Sequence, residues 1–300
     1  MLAWQDLAAL DAAMTRAFAT GDASRLEVLG YGEISAVVRC TSGGRSWACK
    51  RLPTFAGRRE ADRYAALFEE YLATLRARGV TVVPSTLQRV PRDDGTVVVY
   101  CVQPLLPGDQ LAVRVLARSS DVQARVLFET VHQRILAVVS PQVGLDGQLS
   151  NWVVDGEDVA MLDVTTPMLK DEVGGNRLDM ELFLAAVPPP VRPLFRRYVV
   201  PSVVDKYHDP RGVTLDLAAN LIKEGLESHI GPFLEIANRS LSQPIDAAEV
   251  RRYYAADARV WTAWQALRRC DRFIQLRLLG RPYPFLLPGR IERHAVRRPS

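Results

Sequence analysis

The stretch D-G-Q-L-S-N at residues 146–151, followed by M-L-D-V-T-T-P at residues 161–167, decides the fold of this chain. Two carboxylates and an amide, Asp146, Asp163 and Asn151, stand here among apolar residues. Charged groups beside a core are costly unless they are paired or bind a metal. The oxygens of Asp163 and Asn151 suit Mg²⁺, which keeps water and phosphate oxygens as its other ligands. Asp146 is left to deprotonate a hydroxyl group, although a simple turn, which Asp, Asn and Gly also favour, remains an open interpretation.

Upstream of this stretch, G-Y-G-E-I-S-A-V at residues 30–37 forms a glycine turn between two predicted strands. Gly30 and Gly32 allow backbone amides to approach phosphate oxygens without a Cβ in the way. The residues that follow continue as a strand, whereas a dinucleotide-binding fingerprint requires a helix to start there. A dinucleotide-binding fold is therefore excluded, and a plain hairpin is the remaining alternative to a phosphate-binding loop.

The next strand ends in W-A-C-K, where Ala48 and Lys50 share one face because side chains alternate along a strand. On that face Ala48 leaves room for a flat ring and Lys50 can reach phosphates. A surface lysine on an edge strand is the simpler interpretation. A helix is predicted at residues 58–78 because its apolar residues lie on one stripe: Tyr64, Leu67, Phe68, Tyr71, Leu72 and Leu75. This helix carries Glu69 and Glu70, either of which could pair with Lys50.

The order of the predicted elements separates a mostly β half from a mostly α half. Five strands are predicted, of which the fourth is V-T-V-V-P at residues 80–84 and the fifth T-V-V-V-Y-C-V at residues 96–102. Two prolines and a glycine at residues 103–109 predict a hinge. The chain beyond it is mostly helical in pattern. The sequence thus predicts an α+β architecture of two lobes, residues 1–106 and residues 107–300.

Length and composition exclude several classes of protein. The 300 residues are 48% hydrophobic and 24% charged, which excludes a disordered chain. There is no run of 18 apolar residues and no signal-peptide pattern at the start, so no membrane span is predicted. The net charge of +4 is too small to indicate nucleic acid as a partner. The four cysteines match neither a metal knuckle nor a disulfide framework, so we expect a cytoplasmic protein.

Together these motifs resemble the protein-kinase-like superfamily, and within it the small-molecule phosphotransferases similar to aminoglycoside and choline kinases. The glycine loop, strand lysine, helix glutamate, hinge, D-x-x-x-x-N loop and later aspartate follow one another as in that superfamily over roughly residues 25–170. The resemblance implies a bilobal fold, with a five-stranded antiparallel sheet and one helix in the first lobe and a mostly helical second lobe. It also implies ATP and Mg²⁺ as cofactors.

The resemblance assigns a role to each motif residue. It implies that Asp146 and Lys50 are catalytic and that Asn151 and Asp163 are the metal ligands. The residues that it implies for nucleotide binding are Gly30, Gly32, Ser35, Val37, Ala48, Lys50, Glu69, Glu70, Gln103 and Leu105.

The chain departs from the family pattern in four ways, of which the first is that the glycine loop lacks its third glycine. Gly144 stands where a histidine usually precedes the catalytic aspartate, and Asp163 is followed by Val164 and Thr165, so the glycine of the D-F-G motif is absent. No A-P-E motif follows, which argues against a protein substrate. None of these departures removes a phosphate, metal or proton ligand. Three functions stay open: phosphoryl transfer to a hydroxyl of a small molecule, a pseudokinase without turnover, and AMP transfer.

The arginine-rich end of the chain bears on the acceptor. The run at residues 261–277 mixes arginines with Trp261, Trp264 and Phe273, and more arginines follow up to Arg298. Guanidinium groups suit carboxylates or phosphates, and aromatic faces suit apolar groups. We therefore expect a neutral or anionic hydroxyl compound rather than a polycationic sugar, which would require a carboxylate-rich site. A packed helix coated with arginines is the alternative.

Overall fold

A computed structural model of the chain describes residues 2–32, 35–184, 187–199 and 204–288. It shows an α+β protein of which about half is helical. The strands are β1 (Val28–Tyr31), β2 (Ala36–Ser42), β3 (Arg45–Arg51), β4 (Thr81–Val82), β5 (Thr86–Pro91), β6 (Val97–Pro104), β7 (Trp152–Asp155) and β8 (Asp158–Met161). The α-helices of the described ranges are α1 (Trp4–Thr20), α2 (Arg58–Ala77), α3 (Ala112–Leu116), α4 (Asp121–Val138), α5 (Glu181–Leu184), α6 (Arg192–Leu194), α7 (Pro210–Lys223), α8 (Ile230–Ala237) and α9 (Ala247–Phe273).

The main sheet has five antiparallel strands in the order β1-β2-β3-β6-β5, which confirms the predicted number and direction. One of its two edge strands, however, is β5, which was not predicted. The strand predicted at residues 80–84 is β4, which pairs in parallel with β8 in a second sheet of order β4-β8-β7. The hairpin between β5 and β6 explains the difference. Asp94 accepts hydrogen bonds from the N–H and hydroxyl of Thr96, and Gly95 takes a φ of 82°, so the chain folds back directly.

The two faces of the main sheet pack on different helices. One face lies against α1, and the apolar residues that meet there include Leu7, Met14, Val38, Cys49 and Tyr100. The other face lies against α2 and continues into the larger core with α4, α7 and α8. Helix α2 turns a stripe of buried side chains to that core: Ala61, Tyr64, Leu67, Phe68, Tyr71, Leu72 and Leu75. The period of this stripe follows the 3.6-residue turn of a helix.

A buried ionic network fastens α1 to the sheet. The carboxylate of Asp11 lies 2.6 Å from a guanidinium nitrogen of Arg92 and 3.6 Å from one of Arg51. It also accepts a hydrogen bond of 2.8 Å from the Tyr100 hydroxyl. Buried charges of this kind persist only when paired and hydrogen-bonded, so the network fixes one position of α1 on the sheet.

The end of the described chain returns to α1. Beyond α9, the N–H of Tyr283 donates to the carbonyl of Phe18 at 2.9 Å, and Leu286 is buried in the cluster between α1 and the sheet. The side chain of Arg272 donates to the carbonyl of Gly21 at 2.6 Å. The first and last helices are thereby joined. In the part of the chain that the structure describes, no helix is both long and apolar enough to cross a bilayer.

Candidate functional site

The register of the main sheet places five of the ten predicted nucleotide-binding residues on one face: Gly30, Val37, Ala48, Lys50 and Gln103. Lys50 lies directly opposite Val37 on β2 and Cys101 on β6, and Val37 lies opposite Gly30 on β1. Directly paired residues of antiparallel strands point to the same side, and residues two apart do as well. Ala48 and its partner Gln103 therefore share this face. It is the face opposite α1.

The described residues on either side of the glycine turn, between β1 and β2, are hydrogen-bonded to each other. The N–H of Gly32 donates to the carbonyl of Ser35 at 2.8 Å, while Glu33 and Ile34 lie outside the described residues. At the other end of this region, the N–H of Leu105 donates to the carbonyl of Ser46 and continues the pairing of β6 with β3.

Lys50 and Asp163 meet at the centre of the site. The ammonium of Lys50 lies 2.8 Å and 2.6 Å from the two carboxylate oxygens of Asp163. The N–H and hydroxyl of Thr165 also donate to this carboxylate, at 3.2 Å and 2.9 Å. Burial alone would raise the pKa of Asp163, but the Lys50 charge and these hydrogen bonds outweigh it and lower the pKa below its ordinary value. Asp163 is therefore a charged, oriented carboxylate at neutral pH.

Asn151 and Gln103 hold the segment that carries Asp163. The N–H of Leu162 donates to the carbonyl of Asn151 at 2.7 Å. The side-chain amide of Gln103 donates to the carbonyl of Leu162, also at 2.7 Å. On its other side, the Asn151 amide donates to the carbonyl of Asp146 at 3.3 Å. The structure thus brings the D-G-Q-L-S-N loop, the strand before Asp163 and the main sheet into direct contact.

Asp146 has a different electrostatic environment from Asp163. Its carboxylate accepts a hydrogen bond of 3.3 Å from the N–H of Gln148. Burial raises its pKa, and the negative charges of Asp216 and Asp163 raise it further. Two carboxylates whose pKa values are pushed in opposite directions can take different chemical roles, one as a charged ligand and one as a proton acceptor.

The predicted pairing of Lys50 with Glu69 or Glu70 is replaced by the contact between Lys50 and Asp163. Glu70 instead binds Arg177, with a nitrogen–oxygen distance of 2.7 Å, and Glu69 is exposed beside a surface groove between α2 and β5. The physical reason is the helical period of α2, since both glutamates lie off its buried stripe.

Two tyrosines that the sequence analysis assigned only to packing connect α2 with the site. The hydroxyl of Tyr64 donates to the carbonyl of Thr165 at 2.9 Å, and that of Tyr71 donates to the carbonyl of Gly144 at 3.0 Å. A buried tyrosine hydroxyl requires a partner, so tyrosines on a buried stripe were the signal for these contacts.

The space beside Gly144 is filled by a residue from elsewhere in the chain. A Cβ at Gly144 would lie 2.9 Å from His208 Cε1 and 2.9 Å from Met168 Cβ. The His208 ring is buried, with Nδ1 3.0 Å from the carbonyl of Val204. The departure from the family pattern at Gly144 therefore leaves no void in the structure.

A polar cluster that the sequence analysis missed lies next to Asp146. Asp216, on α7, accepts hydrogen bonds from the Lys206 ammonium at 2.8 Å and the Tyr253 hydroxyl at 2.6 Å through Oδ1. Its Oδ2 accepts one from the side-chain amide of Gln148 at 2.8 Å. No local pattern marks these residues, because the cluster joins the D-G-Q-L-S-N loop with α7 and α9.

Two arginines of α9 pack within the protein, while Phe273 is exposed. Arg268 is 1% exposed and stacks over the rings of Trp264 and Phe285. Arg272 donates to Gly21 in the contact with α1. At these two positions the arginines help to pack residues 283–287 and α9 beside the first helix. The arginines after residue 288 lie outside the described residues.

Residues 9–272 match a family model that is described as a family of unknown function, DUF6206. The chain belongs to the DUF6206 family. A comparison with curated proteins gives no match. The match covers the main sheet, the contact between Lys50 and Asp163, and the cluster around Asp216, so the whole site lies within the part shared with DUF6206.

Proposed function

We propose that this member of DUF6206 is a cytoplasmic phosphotransferase that uses ATP and Mg²⁺ to phosphorylate a hydroxyl group of a small molecule. The proposal includes a bilobal, kinase-like arrangement with lobes at residues 1–106 and residues 107–300. The observation that carries it is the bidentate contact of Lys50 with Asp163. This contact joins two motifs that are far apart in sequence and that the family resemblance assigns to one nucleotide site.

The residues present fit a nucleotide-bound Mg²⁺. Asp163 offers a charged carboxylate and Asn151 a side-chain amide oxygen. The described ranges contain no group of three or more His, Cys, Asp or Glu side chains suited to a metal. Mg²⁺ suits such an open site, because it binds through one or two protein oxygens together with water and phosphate oxygens. When bound, ATP would supply the phosphoryl group and Mg²⁺ would neutralise charge on the phosphate oxygens.

The chain's own residues would position the reactants. Lys50 would exchange the carboxylate of Asp163 for phosphate oxygens, while Thr165 keeps Asp163 oriented through its two hydrogen bonds. Asp146, whose raised pKa makes it a better proton acceptor than an ordinary carboxylate, would take the proton of the acceptor hydroxyl. Val37, Ala48 and Gln103 share the face of Lys50 and would contact the base or the ribose.

One observation favours a second candidate, a nucleotide-binding pseudokinase. Lys50 and Asp163 bind each other, so neither is available to a nucleotide in this arrangement. Glu70, which could have held Lys50 away from Asp163, is bound to Arg177. A site that stays closed in this way would bind a nucleotide weakly or hold it without turnover.

The test is the mass of the acceptor after incubation of the full chain with ATP and Mg²⁺. The acceptors are hydroxyl compounds that are neutral, anionic or cationic. Phosphotransfer adds the mass of one phosphoryl group to the acceptor. AMP transfer adds a larger mass, and a pseudokinase leaves every acceptor unchanged. Either of the last two results would overturn the proposed reaction.

Variants of the two central residues test the assignment of roles. We expect Asp163→Asn to lower the transfer rate about 100-fold or more, because it removes the charged group at the phosphates. Lys50→Met should weaken ATP binding in calorimetry. Lys223→Met is the matched control, since Lys223 is an exposed lysine of α7. Equal effects of the two lysine variants would contradict the site.

A further inference from the structure

A second lysine lies beside Asp146. Lys206 precedes α7, and its ammonium lies 2.8 Å from Asp216 Oδ1, 3.1 Å from the Tyr253 hydroxyl oxygen and 4.7 Å from the centre of the Tyr207 ring. These contacts fix a positive charge within the mostly helical part of the chain. A lysine ammonium has three N–H donors, and the two oxygens use two of them.

The cluster is connected to Asp146 through Gln148. The side-chain amide of Gln148 donates to Asp216, and its backbone N–H donates to the carboxylate of Asp146. The backbone makes a second link, because the N–H of Leu145, next to Asp146, donates to the carbonyl of Tyr207, next to Lys206, at 3.0 Å. Lys206 is therefore near enough to contact a molecule whose hydroxyl group lies at Asp146.

The exposure of the ion pair is uneven. The side chain of Asp216 is 7% exposed, whereas that of Lys206 is 23% exposed. The carboxylate of Asp216 accepts hydrogen bonds from Lys206, Tyr253 and Gln148. The buried anion thus orients the cation, while part of the cation stays accessible. A carboxylate or phosphate is the group that would gain most from an ammonium held in this way.

We infer that Lys206 binds an anionic group, a carboxylate or a phosphate, of the acceptor and so places the acceptor hydroxyl at Asp146. The inference rests on the proposed phosphotransfer and deepens it, because it restricts the acceptor to hydroxy acids or phosphorylated alcohols. The charge that selects the acceptor comes from the cluster around Asp216 and not from the arginines of α9.

Calorimetry with matched compounds tests this assignment. Glycerol, glycerate and glycerol 3-phosphate differ in having no anionic group, a carboxylate or a phosphate. They are titrated into the full chain, both free and loaded with Mg²⁺ and a non-hydrolysable ATP analogue. We expect at least one anionic compound to bind the wild type at least tenfold more tightly than glycerol. Which of the two binds distinguishes carboxylate from phosphate recognition.

Variants locate the preference in the cluster. Lys206→Met alone would leave Asp216 buried and unpaired, so the main variant is Lys206→Met combined with Asp216→Asn, which removes both charges. It should lose the preference for the anion, Lys206→Arg should keep it, and Lys223→Met should behave as wild type. Thermal unfolding shows which variants are folded. If the double variant does not fold, the titrations of Lys206→Arg decide whether Lys206 causes the preference.

The outcomes separate this inference from the proposed function. If the wild type shows no preference for an anion, whether glycerol binds equally or nothing binds, the role of Lys206 is overturned. The same holds if the folded double variant keeps the preference, or if Lys206→Arg abolishes it. If the ATP analogue fails to bind the wild type, the phosphotransferase proposal is overturned instead, and the titrations of the free chain still decide the anion preference.

Discussion

At the scale of single residues, Asp146 costs the folded protein stability. Burial, together with the charges of Asp216 and Asp163, raises its pKa above the ordinary value of about 3.9. The folded state therefore binds this proton more tightly than the unfolded state does. Stability is consequently lost as the pH rises from the unfolded pKa to the folded pKa, and the loss is complete above the folded pKa.

Asp146→Asn should accordingly stabilise the protein at pH 8. The amide is neutral and its oxygen can still accept from the N–H of Gln148. We expect a gain in the free energy of unfolding of about 1 kcal/mol or more at pH 8, since each unit of pKa shift corresponds to about 1.4 kcal/mol. The gain should shrink as the pH falls towards 4. Urea unfolding at a series of pH values measures it.

The same variant should lose transfer activity, because the proton acceptor is gone. Asp93→Asn, at an exposed turn, is the control and should show no such pH-dependent gain. An Asp146→Asn protein less stable than wild type at pH 8 would show that the carboxylate is held by favourable contacts and not at a cost.

At the scale of elements, the loop that carries Asp146 is wedged between α4 and α7. A Cβ at Gly147 would lie 2.7 Å from a methyl carbon of Val213 and 2.8 Å from Ile135 Cδ1. We expect Gly147→Ala to lower the free energy of unfolding by about 1–3 kcal/mol, because the added methyl group would clash with α4 and α7 unless these helices move apart. The transfer rate should fall as well, since Asp146 moves with the loop.

Gly231→Ala is the matched control for this change. Gly231 lies within α8, and a Cβ there would meet no atom within 4 Å. Alanine should be neutral there or stabilise the protein by up to about 1 kcal/mol, through its higher helix propensity. If thermal unfolding showed the two variants to be equally stable, the close packing of the loop at Gly147 would be refuted.

Elements with a local signal were predictable from the sequence. The apolar stripe predicts a helix at residues 58–78, and α2 spans Arg58–Ala77. The partner of a strand is not a local property. Nothing in V-T-V-V-P indicates that β4 pairs with β8 rather than with the main sheet. The β5 edge strand was missed because T-L-Q-R-V-P has no continuous apolar run like that of β6.

The candidate site shows the same division. Lys50, Asp163, Asn151 and Gln103 were predictable because they stand in motifs with fixed spacing, and the structure brings them together. Lys206 and Asp216 were not, because their relation to Asp146 exists only once α7 has packed beside the loop. The positions of Glu69 and Glu70 could have been corrected from the sequence, since the predicted stripe of α2 already excludes both from the buried face.

At the scale of the whole molecule, α1 depends on the ionic network around Asp11. Asp11→Ala would leave Arg51 buried beside Arg92 without the carboxylate that pairs with both. We expect a loss of about 3–5 kcal/mol in the free energy of unfolding, as is typical when one partner of a buried ion pair is removed. Denaturant unfolding measures the loss.

Asp62→Ala provides the comparison for an exposed pair. Asp62 contacts Arg89 and Arg58 at the surface, where an ion pair contributes about 0–1 kcal/mol. A loss for Asp11→Ala no greater than that for Asp62→Ala would mean that α1 is held on the sheet by apolar contacts alone.

The return of residues 281–288 to α1 has a consequence for synthesis on the ribosome. The layer between α1 and the sheet contains Leu7 of α1 together with Leu286, which follows α9 in the chain. Translation proceeds from the N-terminus, so this layer stays incomplete until the codon for Leu286 has been read. Until then, part of the apolar surface of the nascent sheet is exposed to solvent. A message truncated before codon 283 would release a protein that has every motif of the site and an exposed seam beside its first helix.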